Sequence, residues 1–92
     1  MTNKSQGEES NWHVYILRCA DGSLYTGIAI KLDERIAAHN EGSGAKYTRS
    51  RLPVTLEYTE PAADRSTALR REAAIKKLSR TDKLLLIETH SG

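Results

Sequence analysis

Two tyrosines, Tyr15 and Tyr25, are the first residues of this sequence that could do chemistry. A phenol can give up or share a proton, but its ordinary pKa near ~10 means that it needs cationic help to act near neutral pH. Ordinary packing between neighbouring strands is the alternative use of two strand tyrosines. The choice depends on whether both hydroxyls face the same space.

The chain around these tyrosines predicts a β-hairpin, because two runs rich in β-branched and aromatic residues flank Ala20-Asp21-Gly22. A two-residue turn would leave the two tyrosines on opposite faces. A three-residue loop with a left-handed Gly22 instead places Tyr15 opposite Gly27 and on the same face as Tyr25. We predict the three-residue loop, in which two phenols converge over a glycine.

Arg35 and His39 add a cation and an imidazole one helical turn apart. The apolar spacing from Lys31 to Glu41 predicts a helix, with His39 on its apolar face and Arg35 at the border of that face. A guanidinium presents a planar, always-charged fork to phosphate oxygens, and an imidazole can exchange a proton near neutral pH. The alternatives are a surface arginine and a packed histidine.

Glu72 lies within the apolar arc of a second predicted helix, which Asp64 or Ser66 caps and which runs to about Leu78. Burying an isolated carboxylate is costly, so such a group is normally paired or bound to a metal ion. One interpretation is therefore a carboxylate that binds a metal ion. The other is a solvated ion pair with Lys76, in which Glu before Lys is the favourable order. Spacing alone slightly favours the ion pair.

The remaining pattern completes an α+β domain, a three-stranded antiparallel β-sheet flanked by helices. The segment from Val54 to Thr59 alternates apolar and polar residues, which predicts the third strand, and Pro61 is expected to end it. The segment from Ala45 to Pro53 is expected to be a loop. Ser79 to Asp82 resembles a capping box and predicts a last helix.

Composition bounds the organisation of the chain. With 92 residues, of which 38% are hydrophobic and 28% charged, it has room for one small domain. We assign residues 12–90 to that domain and residues 1–11 to a polar, disordered tail. The longest apolar run is too short to span a membrane, and we see no secretory leader. The single cysteine, Cys19, fits a reducing cytosol, so we expect a cytoplasmic protein.

The distribution of charge suits a phosphate-bearing partner, although the formal net charge is only +2. Between Asp64 and Lys83, seven basic residues stand against three acidic ones. A second basic cluster follows a glycine-containing stretch and is typical of a nucleic-acid backbone clamp with a tyrosine that can stack on a base. Its members are Lys46, Tyr47, Arg49 and Arg51. The alternative for both groups is an ordinary solvated surface.

His13-Val14-Tyr15 and Tyr25-Thr26-Gly27 resemble the two elements that define the GIY-YIG nuclease superfamily. The resemblance covers nearly everything after the first dozen residues and continues through Arg35, His39 and Glu72. Spacing and length are similar to the small stand-alone bacterial branch, the YhbQ-like proteins. His13 stands where the motif's first glycine belongs, and because that glycine is a backbone feature, no reacting group is lost.

The resemblance implies a divalent-metal-dependent endonuclease that hydrolyses DNA phosphodiester bonds. Its setting would be DNA repair or the processing of structured DNA, with a protein partner for targeting. Tyr15 would be the general base, its pKa lowered by Arg35 and by Mg²⁺ or Mn²⁺ bound at Glu72. The full implied catalytic set is Tyr15, Tyr25, Arg35, His39 and Glu72, and we expect these side chains to converge on one face of the sheet. The alternative is a nucleic-acid-binding module with little or no catalysis, which the small size of the chain favours.

Overall fold

The structure is a computed structural model that describes residues 11–91. The tail assigned to residues 1–11 lies outside the described residues, apart from Asn11. In chain order, the elements are β1 (Trp12–Arg18), β2 (Leu24–Ala29), α1 (Leu32–Asn40), α2 (Lys46–Arg49), β3 (Thr55–Ala62), α3 (Arg65–Lys76) and α4 (Arg80–Ser91). The strands form one antiparallel sheet in the order β2-β1-β3, which confirms the predicted α+β architecture.

The hairpin between β1 and β2 confirms the three-residue loop. The Gly22 amide donates to the Cys19 carbonyl at 2.9 Å, and the Cys19 amide donates to the Ser23 carbonyl at 2.8 Å. Gly22 has a φ of +87°, the left-handed conformation that glycine adopts without a steric penalty. The resulting register pairs Tyr15 with Gly27 and leaves both tyrosines of the hairpin on the same face.

The third strand is longer than predicted, and the expectation that Pro61 ends it is wrong. Strand β3 continues through Pro61, which pairs with His13 of β1. Because β3 lies at the edge of the sheet, the missing proline amide can face away from the ladder without breaking a hydrogen bond.

A β-bulge changes which face the side chains of β3 occupy. The register shifts between Ile16, which pairs with Tyr58, and Leu17, which pairs with Leu56. The extra residue reverses the alternation. Val54 therefore packs with the core on the Tyr15 side, Tyr58 packs on the opposite side, and Leu56 is 41% exposed. The simple alternation predicted from Val54 to Thr59 does not hold.

Helices α3 and α4 begin where their capping residues predict. The Asp64 carboxylate accepts the Thr67 amide at 2.8 Å at the start of α3, and the Ser79 hydroxyl accepts the Asp82 amide at 3.1 Å at the start of α4. The segment from Ala45 to Pro53 is not wholly a loop, because it contains the short helix α2. No helix among residues 11–91 is long and apolar enough to cross a bilayer.

The sheet separates two apolar clusters. On one face, Val14 and Ile16 of β1 pack against Ala68 and Ile75 of α3 and against residues of α4. Burying a side chain such as Ile75 contributes roughly 1.5–3 kcal/mol. On the other face, Tyr15 and Leu17 of β1 pack against Ile36 of α1 and against Leu52 and Val54 of the segment before β3. Both faces of β1 are therefore covered, which makes it the rigid centre of the fold.

Candidate active site

The phenol of Tyr15 lies directly over Gly27 of the neighbouring strand. A Cβ atom added at Gly27 would stand 2.6 Å from the Tyr15 hydroxyl oxygen and 3.2 Å from the Tyr25 ring. Glycine is therefore required for the phenol to lie across β2. The ring centroids of Tyr15 and Tyr25 are 6.4 Å apart.

A buried row of hydrogen bonds connects Tyr15 to the other side of the site. The Tyr15 hydroxyl lies 3.1 Å from Nε2 of His39, and His39 Nδ1 lies 2.8 Å from the Thr48 hydroxyl oxygen. The Thr48 hydroxyl donates onward to the Ala45 carbonyl at 3.0 Å. Tyr15 and His39 are each 1% exposed and Thr48 is fully buried. The predicted proximity of Tyr15 and His39 is present, and Thr48 is a further member that was not predicted from the sequence.

Gly44 allows the loop after α1 to pack closely against the His39 ring, because it has no side chain. A Cβ atom at Gly44 would lie 2.5 Å from His39 Nδ1 and 2.8 Å from the His39 Cα. The loop between α1 and α2 can close on the imidazole only because this residue is glycine. The sequence signal is the Gly42-Ser43-Gly44 stretch, which by itself indicates only the end of a helix.

Burial and neighbouring charges set the proton affinity of Tyr15. Burial raises the pKa of Tyr15 to about 12, with Tyr25 acting in the same direction, the Arg35 cation opposing it and Glu72 adding to it. The positive charge of Arg35 thus helps as expected, but it does not overcome desolvation. The side chains described here alone do not give Tyr15 a lowered pKa.

The pKa of His39 is held below its ordinary value, first by burial and then by the Arg35 charge. At neutral pH the imidazole is therefore largely uncharged and keeps a free nitrogen lone pair. Arg35 lies at the exposed edge of α1 and acts electrostatically on both Tyr15 and His39. It stands where solvent, or an anionic ligand, can reach it.

Glu72 reaches the site from an unexpected direction. Its helix, α3, packs against the opposite face of the sheet, so the expectation that all five side chains approach from the Tyr15 face is wrong for Glu72. Its carboxylate forms the ion pair with Lys76 at 3.3 Å, yet only 19% of the Glu72 side chain is exposed. Its charge also acts on Tyr15. Glu72 therefore forms the predicted ion pair with Lys76, but it is largely buried and not on a solvated face.

The donor set restricts what metal ion could bind. No group of three or more histidine, cysteine, aspartate or glutamate residues is arranged for a metal ion within residues 11–91. A closed zinc-type cage would need such a group. A single carboxylate fits Mg²⁺, which keeps several waters and takes substrate phosphate oxygens as further ligands. Glu72 is therefore compatible with the predicted Mg²⁺ or Mn²⁺ if its ion pair with Lys76 breaks when the metal binds.

The second predicted basic cluster divides into two parts. Tyr47 stacks on Tyr25 with ring centroids 6.1 Å apart, and the Arg51 guanidinium carbon lies 3.9 Å from the centre of the Tyr47 ring. Arg51 also donates to the Asp21 carboxylate at 3.1 Å and to the Tyr47 carbonyl at 2.7 Å. Arg51 therefore ties α2 to the hairpin turn, which is a structural use of a residue predicted to bind nucleic acid. Lys46 and Arg49 are exposed on α2.

Two open cavities lie at the two ends of β2, on either side of Gly27. A cavity of about 340 Å³ is lined by Ala29, Lys31 and Arg35 among others. A cavity of about 250 Å³ is lined by Leu24, Tyr25, Thr26, Tyr47, Lys76 and Lys83. Each cavity includes cationic side chains, and Lys83 is a contributor that the sequence marks only as part of a basic stretch.

Comparison with known proteins agrees with this arrangement. Residues 11–85 match the model of the GIY-YIG catalytic domain. The chain is 54% identical over 71 residues to a UPF0213 protein of Halobacterium salinarum, a match that covers 77% of this chain and 92% of that protein. A UPF0213 protein of Staphylococcus haemolyticus is 53% identical over 76 residues, covering 83% of this chain and 93% of its own length. This chain belongs to the GIY-YIG catalytic domain family, a nuclease family.

Two solved structures share the fold. The solution NMR structure of the UPF0213 protein BH0048 from Bacillus halodurans is 45% identical, with a TM-score of 0.58, and the match covers 89% of this chain and 87% of that one. The solution NMR structure of the protein EF2693 from E. faecalis is 41% identical, with a TM-score of 0.61, and the match covers 88% and 86% of the two chains. Both matches are consistent with membership of the small stand-alone branch of GIY-YIG proteins.

Proposed function

We propose that this protein is a divalent-metal-dependent endonuclease that hydrolyses phosphodiester bonds in DNA. The observation that carries the proposal is the 3.1 Å contact between the Tyr15 hydroxyl and His39 Nε2, within reach of the charges of Arg35 and Glu72. Hydrolysis needs a proton acceptor for water beside groups that can hold a phosphate, and catalysis falls steeply when such groups are misplaced.

The pKa of Tyr15 determines how it can act as a base. With a pKa of about 12, roughly 10⁻⁴ of the phenol is ionised at pH 8, so a preformed phenolate is a poor explanation. A neutral His39 can relieve this difficulty. As Tyr15 takes a proton from the attacking water, its own proton passes to the His39 lone pair, so one O–H bond forms on Tyr15 while the other breaks. Tyr25 stands beside this pair to position the water or the phosphate.

Two further residues would stabilise the negative charge of the phosphate, Arg35 directly and Glu72 through a bound metal ion. The Arg35 guanidinium, exposed at the edge of the site, can bind the non-bridging oxygens of the scissile phosphate through two parallel hydrogen bonds. Glu72 would hold Mg²⁺ or Mn²⁺. A divalent ion bound there would supply positive charge that stabilises the phosphate and the leaving 3′ oxygen. Lys76, which now pairs with Glu72, would be released to bind an anion.

The two cavities support a DNA strand that runs along β2, which is an edge strand of the sheet. The scissile phosphate would lie against the exposed Arg35 guanidinium, with the buried Tyr15 phenol behind it, and neighbouring nucleotides would occupy the cavities at the two ends of the strand. Lys76 and Lys83 provide positive charge in one of them, and Tyr25 and Tyr47 provide aromatic surface. Exposed Lys46 and Arg49 on α2 extend the cationic surface.

The size of the described domain bears on the choice of substrate. So small a surface contacts few base edges, which favours recognition of DNA shape over sequence. We therefore propose that the substrate is structured or damaged DNA, as in DNA repair, and that a protein partner supplies targeting in the cytoplasm.

A nicking assay tests the proposal. Duplex, single-stranded and branched DNA are incubated with Mg²⁺ or Mn²⁺ and with wild type, Glu72→Gln or Glu41→Gln. Glu41 is an exposed carboxylate at the end of α1, so Glu41→Gln removes the same charge away from the site. We expect metal-dependent cleavage by wild type and Glu41→Gln but not by Glu72→Gln. Equal background from all three proteins would disprove the enzymatic proposal.

The second candidate is a nucleic-acid-binding module with little or no cleavage. The ion pair between Glu72 and Lys76 is the specific observation that favours it, because a carboxylate held by a lysine is less available to a metal ion. In that case DNA binding would weaken steeply with salt and would be indifferent to Glu72→Gln. Measurement of affinity with and without Mg²⁺ separates the two candidates.

A further inference from the structure

We propose that Thr48 is a positioning residue that fixes His39 in the tautomer with its hydrogen on Nδ1. Nε2 is then the acceptor that faces the Tyr15 hydroxyl. The catalytic consequence rests on the proposed function, whereas the tautomer is a property of the folded protein and can be measured without any turnover.

The number of hydrogens available along the buried row determines the tautomer of His39. The Ala45 carbonyl can only accept, and the Thr48 hydroxyl has a single hydrogen, which it donates to that carbonyl at 3.0 Å. The Thr48 oxygen can then only accept from His39 Nδ1, 2.8 Å away. A neutral imidazole with hydrogen on Nδ1 has a lone pair on Nε2, and that lone pair accepts the Tyr15 hydroxyl at 3.1 Å.

The opposite tautomer makes one hydrogen bond fewer. The Thr48 hydroxyl would have to turn from Ala45 to donate to His39 Nδ1, and Nε2–H would donate to the Tyr15 oxygen. The Tyr15 hydrogen would then need another acceptor, and the neighbouring Arg35 guanidinium has none to offer. In the proposed tautomer, by contrast, every hydrogen of the row points the same way, from Tyr15 and from His39 towards Ala45.

The surroundings leave the row little freedom to rearrange. Thr48 is fully buried, and its backbone amide also donates to the Ala45 carbonyl, at 3.2 Å, within the first turn of α2. Gly44 closes the loop against the His39 ring at a distance that a Cβ atom could not tolerate. The imidazole cannot flip without moving this loop, so Thr48 presents its oxygen to Nδ1 and not to Nε2.

The tautomer decides whether His39 can receive a proton. With hydrogen on Nδ1, Nε2 takes the Tyr15 proton while Tyr15 takes one from water, and the imidazole becomes an imidazolium still bonded to Thr48. With hydrogen on Nε2, the nitrogen facing Tyr15 is already protonated and the transfer is blocked. Thr48 would therefore act on the reaction through His39, without touching DNA.

The direct test is the ¹⁵N spectrum of the histidine rings in the metal-free protein near neutral pH. Long-range ¹H–¹⁵N correlation distinguishes a protonated ring nitrogen from one with a lone pair, and comparison with His39→Gln assigns the His39 signals among the three histidines. We expect protonated Nδ1 and unprotonated Nε2 in wild type and in Thr48→Ser, which keeps the hydroxyl. We expect Thr48→Val to shift towards the Nε2-protonated form. Thr59→Val is the matched control. Thr59 of β3 pairs with Tyr15 of β1, and its buried hydroxyl has no hydrogen-bond partner among the described residues, so the variant should keep the wild-type tautomer.

The second test is the effect of the Thr48 variants on kcat and KM for DNA cleavage. We expect Thr48→Val to lower kcat by roughly 10- to 100-fold with little change in KM, and Thr48→Ser to restore most of it. Thr48→Ala replaces Thr48→Val if the latter does not fold. A wild-type spectrum with hydrogen on Nε2, or a hydroxyl-free variant that keeps the wild-type tautomer, would overturn the proposal. If the tautomer behaves as expected but no variant or wild type cleaves DNA, the proposed function fails while the role of Thr48 in setting the tautomer stands.

Discussion

The Tyr15 hydroxyl and the Nε2 atom of His39 lie 3.1 Å apart and buried, although 24 positions separate the two residues in the chain. Strand β1 supplies one and helix α1 the other, and two glycines make the contact possible. Gly27 leaves room for the phenol, and Gly44 leaves room for the imidazole.

Gly27→Ala should reduce activity and, because it overpacks the cluster around the buried Tyr15, should also cost about 1–3 kcal/mol of stability. The new Cβ would stand 2.6 Å from the Tyr15 hydroxyl, so the phenol must move away from its place over β2. A displacement of about 1 Å at a reacting group can lower a rate by about 10²-fold. We therefore expect kcat for DNA cleavage to fall by about that factor, measured alongside the thermal unfolding midpoint.

Gly22→Ala serves as the control, because it should cost a similar amount of stability without disturbing Tyr15. Gly22 has a φ of +87°, and a Cβ atom added there would meet nothing within 4 Å, so alanine strains the turn without obstructing the site. The left-handed conformation costs a residue with a side chain about 1–2 kcal/mol. We expect lower stability with a nearly unchanged kcat. Equal losses of kcat in both variants would show that the glycine over which Tyr15 lies has no special role.

Local sequence patterns predicted those parts of the fold that depend on neighbouring residues. The left-handed Gly22 and the capping side chains of Asp64 and Ser79 each leave a signature within a few positions, and each was found where expected. The register of the hairpin then placed Tyr15 opposite Gly27 without further information.

Features that depend on distant contacts could not be predicted in this way. The bulge that separates Val54 from Tyr58 arises from pairing with β1, and the extension of β3 through Pro61 depends on the edge position of that strand. The approach of Glu72 from the opposite face depends on how α3 packs. Thr48 resembles any other loop hydroxyl in the sequence, because only the folded chain brings it to His39.

Lys83 should contribute to DNA binding more than Lys77 does. Lys83 lines the cavity beside Tyr25 and Tyr47, whereas Lys77 is exposed at the end of α3 and does not line it. Loss of one phosphate contact lowers the slope of log affinity against log salt by about one. We expect that change for Lys83→Ala and a smaller one for Lys77→Ala, measured by fluorescence anisotropy on labelled DNA without a divalent ion. Identical slopes for the two variants would remove Lys83 from the proposed strand path.

His39 should make the fold less stable in acid. Burial and the Arg35 charge lower the pKa of folded His39 below its unfolded value of about 6.5. As pH falls below that value, the unfolded chain binds a proton that the folded protein resists, so the free energy of unfolding decreases until the folded pKa is passed. Urea unfolding between about pH 7 and about pH 5 should therefore show a steeper loss for wild type than for His39→Gln. The same slope in both proteins would contradict the depressed pKa.

The central claim is that Tyr15 takes the proton from the attacking water. Tyr15→Phe keeps the ring over Gly27 and removes only the hydroxyl, while Tyr58→Phe makes the same change on the other face of the sheet, where that hydroxyl bonds to Glu60. The measurement is the single-turnover rate of cleavage of branched DNA at saturating protein with Mg²⁺. Loss of a positioned base lowers such a rate by roughly 10²- to 10⁴-fold. We expect that loss for Tyr15→Phe and near wild-type cleavage by Tyr58→Phe. Cleavage by Tyr15→Phe at the wild-type rate would contradict the assignment of Tyr15 as the base.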